Sequence, residues 1–187
     1  MRLLVGKPLA EKLYERSRQR SAALHARGIA PRLAAVSVGI DPAATTYQQR
    51  LAARGKKLDI VVDEMDLPGD ASERQLVATL ERLGADPRIH GILLLTPLPG
   101  TLDEGHIVDH IVPAKDVEGV NPFNVGMLAD GRPRFVPSTA EAVIELLKFH
   151  GVALRGARAT VVGRSTVVGR PVAYLLLNED ATVTIAQ

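Results

Sequence analysis

The turn at residues 161–171 combines glycine, arginine and serine in a pattern that could bind an anion: Gly163, Arg164, Ser165 and Gly169 follow a β-branched run and precede a predicted helix. Such a turn directs backbone N–H groups and a helix N-terminus at a diphosphate. The glycines are not at GxGxxG spacing, so a dinucleotide site and a tight structural turn are equally good interpretations. Arg164 offers planar donors that suit a ribose phosphate, and a solvated surface arginine is the alternative.

A second candidate is the histidine pair His106 and His110. Side chains four residues apart lie on one face of a helix, so two histidines at this spacing can share a metal ion. No third ligand follows at a suitable spacing, and the sequence contains no cysteine. We therefore predict no metal site.

Alternating strand and helix patterns must position these residues. Apolar runs predict strands at Arg32–Val38, Ile60–Met65, Gly91–Leu95, Thr160–Val162 and Thr182–Ile185. Helical spacing predicts helices after Pro8, from Asp41-Pro42 to about Leu58, and at Ser72–Leu83, Asp103–Ile111, Glu141–His150 and Pro171–Leu177, with a loop at Pro113–Asn124. This alternation indicates an α/β fold with a parallel sheet.

Four sequence blocks carry a resemblance to a known family. They are Val38-Gly39-Ile40-Asp41-Pro42-Ala43 leading to Tyr47, Gly91 to Pro99, Lys115 to Gly119, and Val162 to Pro171. In order and spacing they resemble the bifunctional methylenetetrahydrofolate dehydrogenase/cyclohydrolase family. The resemblance implies a three-layer αβα folate-binding domain with a mostly parallel sheet at residues 1–135. A linker helix and the first βαβ unit of an incomplete, Rossmann-like NAD(P)-binding domain are expected at residues 136–187.

The resemblance also implies roles for individual residues of this chain. It implies substrate binding by Tyr47, Leu51, Leu95, Pro97, Leu98 and Glu118, a catalytic position at Tyr47, and NADP binding by Gly163, Arg164, Ser165, Val168 and Gly169. The expected reaction is oxidation of methylenetetrahydrofolate with NADP, followed by hydrolysis of the methenyl product.

Several of these positions depart from the family pattern. The family has a proton-handling lysine where this chain has Leu51, a glutamine that orients it at Leu95, and an aspartate at Glu118. A buried lysine suits proton transfer because burial lowers its pKa, whereas leucine cannot carry a proton, and arginines such as Arg50 and Arg54 stay protonated. Replacing one of two bonded polar groups would strand the other at about 1–3 kcal/mol, and replacing both avoids that cost. We therefore interpret Leu51 and Leu95 as part of a pocket that was re-formed with apolar side chains. The alternative is a random loss of the two polar side chains.

A further departure lies at the family's Pro-Cys-Thr-Pro motif, where the chain has Pro137-Ser138-Thr139-Ala140. The family continues for roughly another hundred residues beyond the position of Gln187. We therefore expect the cofactor domain, and the family homodimer contact that it carries, to be incomplete in this chain.

The composition excludes several classes of protein. The 187 residues carry 23 basic and 21 acidic side chains, and aromatic residues make up only 3%, too few for a base-stacking nucleic-acid surface. No apolar run is long enough to span a bilayer, and the first residues do not form a signal peptide. With no cysteine, we expect a cytoplasmic protein.

Three functional hypotheses follow. The first is the bifunctional folate enzyme. The second is a catalytically inactive relative that binds a folate-like ligand or a partner chain, because Leu51 and Leu95 replace the family's lysine and glutamine. The third is a structural remnant without a ligand.

Overall fold

The computed structural model describes residues 2–39 and 42–187. Its helices are α1 (Lys7–His25), α2 (Pro42–Lys57), α3 (Glu73–Ala85), α4 (Glu104–Val108), α5 (Pro122–Ala129), α6 (Ser138–Phe149) and α7 (Gly169–Asn178). Its strands are β1 (Arg32–Val38), β2 (Val61–Leu67), β3 (Gly91–Leu94), β4 (Arg158–Val162) and β5 (Thr182–Ala186). The chain is therefore an α/β protein, as its sequence pattern predicts.

Two compact units make up the chain. One comprises Lys12–Asp116, and the other comprises Met1–Glu11 together with Val117–Gln187. The predicted division at residue 135 stays a prediction.

A parallel sheet in the order β2-β1-β3 forms the centre of the Lys12–Asp116 unit. Its central strand, β1, is buried at all positions from Ala34 to Val38, so both faces of the sheet are covered. The chain leaves β1 for β2 through α2 and then crosses back to β3 through α3. Because such crossovers are right-handed, the two helices lie on opposite faces of the sheet, as a three-layer arrangement requires.

Helix α3 is anchored at both of its ends. Ser72 begins it with a capping box, in which the Ser72 hydroxyl accepts from the Gln75 N–H and the Gln75 side chain accepts from the Ser72 N–H. At the other end, Lys115 Nζ donates to the carbonyl oxygens of Leu83 (3.2 Å) and Asp86 (2.7 Å). The Lys115 carbonyl accepts from Ile92 N at 2.7 Å, so the Lys115–Gly119 block begins at the edge of β3.

The second unit contains the parallel pair β4 and β5, joined by α7. The buried side chains of its core come from α6, α7 and the loops beside them: Ala140, Ile144, Leu154, Val172, Leu176 and Ala181. This is the βαβ unit predicted from the sequence.

Some predicted boundaries were wrong. The loop predicted to extend to Asn124 contains α5, because Asn121 caps the helix through the Phe123 N–H and Pro122 occupies the first helical turn. The helix predicted to reach Ile111 ends at Val108, three residues earlier. The predicted cap at Asp41 lies outside the described residues.

Candidate functional site

Helix α2 carries the first two predicted substrate-binding residues. Tyr47 and Leu51 are one turn apart on α2, so they lie on the same side of the helix. The Tyr47 side chain is 47% exposed, and Leu51 is half-buried. This side of α2 therefore offers an aromatic ring and an aliphatic side chain to a ligand.

The next three predicted residues follow the end of β3. Leu95 N donates to Val36 O at 2.8 Å, which continues the ladder with β1, and the Leu95 side chain is buried. A cis peptide bond joins Thr96 to Pro97; Pro97 is exposed and Leu98 is half-buried. Because β1 and β3 are parallel, the chain leaves both strands at one sheet edge, where α/β proteins bind their ligands.

The carboxyl ends of β1 and β2 hold a polar network that was not predicted from the sequence. Asp66 Oδ1 accepts from Ser37 Oγ at 2.5 Å and from Gln48 Nε2 at 2.8 Å. The Ser37 hydroxyl, followed by the Gln48 amide, lowers the pKa of Asp66 below its ordinary value. These residues line an open pocket of about 280 Å³. A serine among the buried apolar residues of β1 was the signal available in the sequence.

Glu118, the last predicted substrate-binding residue, belongs to the Val117–Gln187 unit and is half-buried. Its carboxylate accepts from the hydroxyl of Ser138, with Oγ at 3.2 Å from Oε1 and 3.4 Å from Oε2. In the sequence, Ser138 is a departure from the family motif and has no predicted role in the site. The structure brings it into direct contact with Glu118.

The predicted cofactor turn is built around Ser165. Ser165 Oγ accepts from the N–H groups of Val168 and Gly169, both at 3.2 Å, and the Ser165 carbonyl accepts from Arg170 N at 3.0 Å. Pro171 has no N–H, so the first turn of α7 has its amides satisfied within the turn itself, an arrangement that agrees with the structural-turn interpretation. Within the described part of the chain, the N–H groups at 164–167 donate to no protein acceptor and remain available.

The close approach of the backbone at residues 163–164 explains why residue 169 is a glycine. A Cβ atom on Gly169 would lie 2.3 Å from Gly163 O and 2.9 Å from Arg164 N, which no side chain can do without moving the turn. Gly163 has a φ of 116°, a conformation that favours glycine. Arg164 and Ser165 are exposed, and Val168 is half-buried.

The histidine pair bonds to glutamates on α3. His106 Nδ1 lies 2.5 Å from Glu73 Oε1, and His110 Nδ1 lies 3.3 Å from Glu81 Oε1. Within residues 2–39 and 42–187, no group of three or more histidine, aspartate or glutamate side chains is arranged to hold a metal ion. In the same part of the chain, no helix has the length and apolar character needed to cross a membrane.

Comparison with known proteins shows which family shares this sequence. Residues 4–118 match the model of the tetrahydrofolate dehydrogenase/cyclohydrolase catalytic domain. The chain belongs to this family. Residues 137–187 match the NAD(P)-binding domain of the same tetrahydrofolate dehydrogenase/cyclohydrolase family, which confirms the resemblance seen in the sequence.

Relatives in the family are similar over nearly the whole chain. The "Bifunctional protein FolD" of Bordetella avium is 44% identical over 98% of this chain and 65% of its own length, and that of Nocardia farcinica is 45% identical over 97% and 64%. The chain thus spans about 65% of the length of these relatives.

Solved structures of family members superpose closely on the chain. The bifunctional enzyme FolD from Campylobacter jejuni is 36% identical, with a TM-score of 0.96 over 100% of this chain and 66% of its own. The Trypanosoma brucei enzyme, solved with NADP and an inhibitor, is 33% identical, with a TM-score of 0.91 over 97% of this chain and 62% of its own. These similarities confirm the predicted fold class, and NADP is the cofactor that the family leads us to expect.

Proposed function

We propose that this protein acts in folate-dependent one-carbon metabolism as a methylenetetrahydrofolate dehydrogenase and methenyltetrahydrofolate cyclohydrolase. The observation that carries the proposal is the placement of Tyr47 and Leu51 on α2, and of Leu95 and Pro97 after β3, beyond the carboxyl ends of neighbouring parallel strands. We also propose that it acts in the cytoplasm. A family homodimer is the expected assembly.

The proposed substrate contacts follow from the chemistry of a pterin. Its flat ring suits the ring of Tyr47 and the aliphatic side chains of Leu51 and Leu98, which are half-exposed and apolar. In the Val117–Gln187 unit the resemblance implies a substrate-binding role for Glu118, whose carboxylate can accept two N–H donors together, as a pterin amino edge presents them. The buried Leu95 would support the site from beneath through its packing at the end of β3.

The turn at residues 163–169 fits NADP in its backbone and charge. The amides at 164–167 and the Arg164 guanidinium are the groups that would meet the phosphates, and Gly163 and Gly169 let the turn stay compact. Ser165 and Val168 would hold the turn in shape through the Val168 N–H bond to Ser165 Oγ. Held by these residues, NADP would supply the hydride acceptor that oxidation of the folate requires.

The absence of a proton-carrying side chain at positions 51 and 95 favours a second candidate function. Neither Leu51 nor Leu95 can donate or accept a proton, and both occupy positions at which the resemblance implies polar side chains. This observation supports a catalytically inactive relative that binds a folate-like ligand or a partner chain through the same surface.

One pair of measurements distinguishes the two candidates. The protein is mixed with methylenetetrahydrofolate and NADP, and formation of NADPH is followed by absorbance; thermal unfolding is recorded with tetrahydrofolate alone. Turnover above the protein-free rate supports the enzyme. A rise in melting temperature without turnover supports the inactive relative, because a ligand that binds only the folded state stabilises it. Absence of both effects refutes folate binding.

A double substitution tests the apolar pocket directly. Leu51→Lys with Leu95→Gln restores the polar pair, and Leu95→Gln alone serves as the matched control because it buries an amide without its partner. We expect the single variant to lose about 1–3 kcal/mol of unfolding free energy and the double variant to recover part of that loss. Activity in the double variant without loss of stability would contradict the hypothesis of a remodelled pocket.

A further inference from the structure

The contact between Glu118 and Ser138 joins two segments that are twenty residues apart in the sequence. Both segments are held independently of this hydrogen bond. A Cβ atom on Gly119 would lie 2.6 Å from Phe135 O, so the backbone beside Glu118 runs against the backbone that leads to Ser138. Ser138 is the first residue of α6, and the carbonyl of the buried Pro137 accepts from Glu141 N at 3.0 Å.

The geometry of the contact indicates what it does to the carboxylate. Ser138 Oγ is nearly equidistant from the two carboxylate oxygens, at 3.2 and 3.4 Å, so its single hydrogen is shared between them. A carboxylate has about four acceptor positions, so one shared hydrogen leaves capacity for two further donors. The hydroxyl therefore restricts the orientation of Glu118 and leaves it able to accept a ligand.

Restricting the side chain before a ligand binds matters more for a glutamate than for the shorter aspartate. A glutamate side chain has three rotatable bonds, and ordering a long side chain costs conformational entropy. A second group that holds the carboxylate before the ligand arrives reduces the cost that binding must meet. Ser138 is placed to supply this restriction from the end of a helix.

We propose that Ser138 is a positioning residue, which holds the Glu118 carboxylate ready to accept the two N–H donors of the pterin amino edge. The inference rests on the proposed function, because it takes a reduced folate as the ligand. It assigns Ser138 no contact with the reacting carbon. Its effect is on binding and not on the chemical step.

The test compares Ser138→Ala with Ser138→Thr, which keeps a hydroxyl, and with Thr139→Val, which removes the exposed neighbouring hydroxyl of the same helix. Tetrahydrofolate affinity is measured by anaerobic calorimetry. We expect Ser138→Ala to weaken binding about three- to tenfold, the range for loss of one hydrogen bond, and the other two variants to stay within about twofold of the parent. A folate analogue that lacks the 2-amino group should lose less affinity than tetrahydrofolate in Ser138→Ala.

A second readout needs no ligand. NMR relaxation of 13C-labelled glutamate methylenes reports the order of the Glu118 side chain, which should fall in Ser138→Ala and stay unchanged in Thr139→Val. If the parent protein fails to bind tetrahydrofolate, the proposed function is refuted. If the parent binds but Ser138→Ala binds equally well, or Glu118 keeps its order, the positioning role of Ser138 is overturned and the proposed function stands.

Discussion

Replacement of Gly169 by alanine tests how tightly the predicted cofactor turn is built. The new Cβ atom would lie 2.3 Å from Gly163 O, 2.7 Å from Gly163 C and 2.9 Å from Arg164 N. All three atoms belong to the backbone, so the overlap can be relieved only by displacing the turn. Overpacking of this kind costs about 1–3 kcal/mol, and the helix preference of alanine over glycine returns only about 0.5–1 kcal/mol.

We therefore expect Gly169→Ala to lower the free energy of unfolding by about 1 kcal/mol, the difference between the mid-range values of these two effects. With a urea dependence of about 1–3 kcal/mol per molar, the midpoint should fall by roughly 1 M or less. The assay is a urea titration followed by circular dichroism. NADP affinity, measured on the folded variant, should fall as well because the turn has moved.

Gly126 is a matched control for this experiment. It lies within α5, and a Cβ atom there would have nothing within 4 Å. Gly126→Ala should therefore leave stability unchanged or raise it by up to about 1 kcal/mol. If Gly169→Ala proves as stable as Gly126→Ala, the close approach of the turn to α7 does not constrain residue 169, and the reasoning is refuted.

Three further substitutions test other parts of the fold. Lys115→Met removes the donor to two carbonyl groups at the end of α3 and should cost about 1–3 kcal/mol in urea unfolding; an unchanged midpoint would contradict that role. Ser72→Ala removes a capping box and should cost about 1 kcal/mol, seen as a lower melting temperature. Ser37 and Gln48 lower the pKa of Asp66 from 3.8, so its carboxylate stabilises the fold above that pH and the stabilisation is lost as pH falls through the lowered pKa. Asp66→Asn should therefore show a shallower loss of thermal stability than the parent below about pH 4, and equal slopes would rule out this linkage.

Strands β1 and β3 were predictable because burial on both faces selects a mostly apolar run. Arg32–Val38 was predicted with the bounds that the structure shows, and Gly91–Leu95 differs from β3 by one residue. Helix α5 was missed because Asn121 and Pro122 favour a loop and a helix start equally, and its eight residues show little periodicity. The sequence signal was local and ambiguous there.

The sequence predicted which positions belong to the candidate site, but not the contacts between them. A motif aligns Glu118 with a family acid, but it cannot show that a hydroxyl twenty residues later bonds to that acid, because the contact depends on how two loops pack. The Ser165 bonds to the start of α7 were likewise not predictable, since glycine spacing does not show which amides stay available.

The hydrogen bond between Ser37 and Asp66 has a consequence for the assembly of the sheet. These residues are direct partners in the register of β1 against β2. Beside Ser37, β1 presents Ala34, Ala35 and Val36, small apolar side chains that would tolerate a shifted pairing. A slip of one residue would turn the serine hydroxyl to the other face and leave it buried without this acceptor, at a cost of about 1–3 kcal/mol. Together with the ion pair between Arg32 and Asp63, Ser37 thus favours one alignment of β1 against β2, and this preference does not depend on a bound ligand.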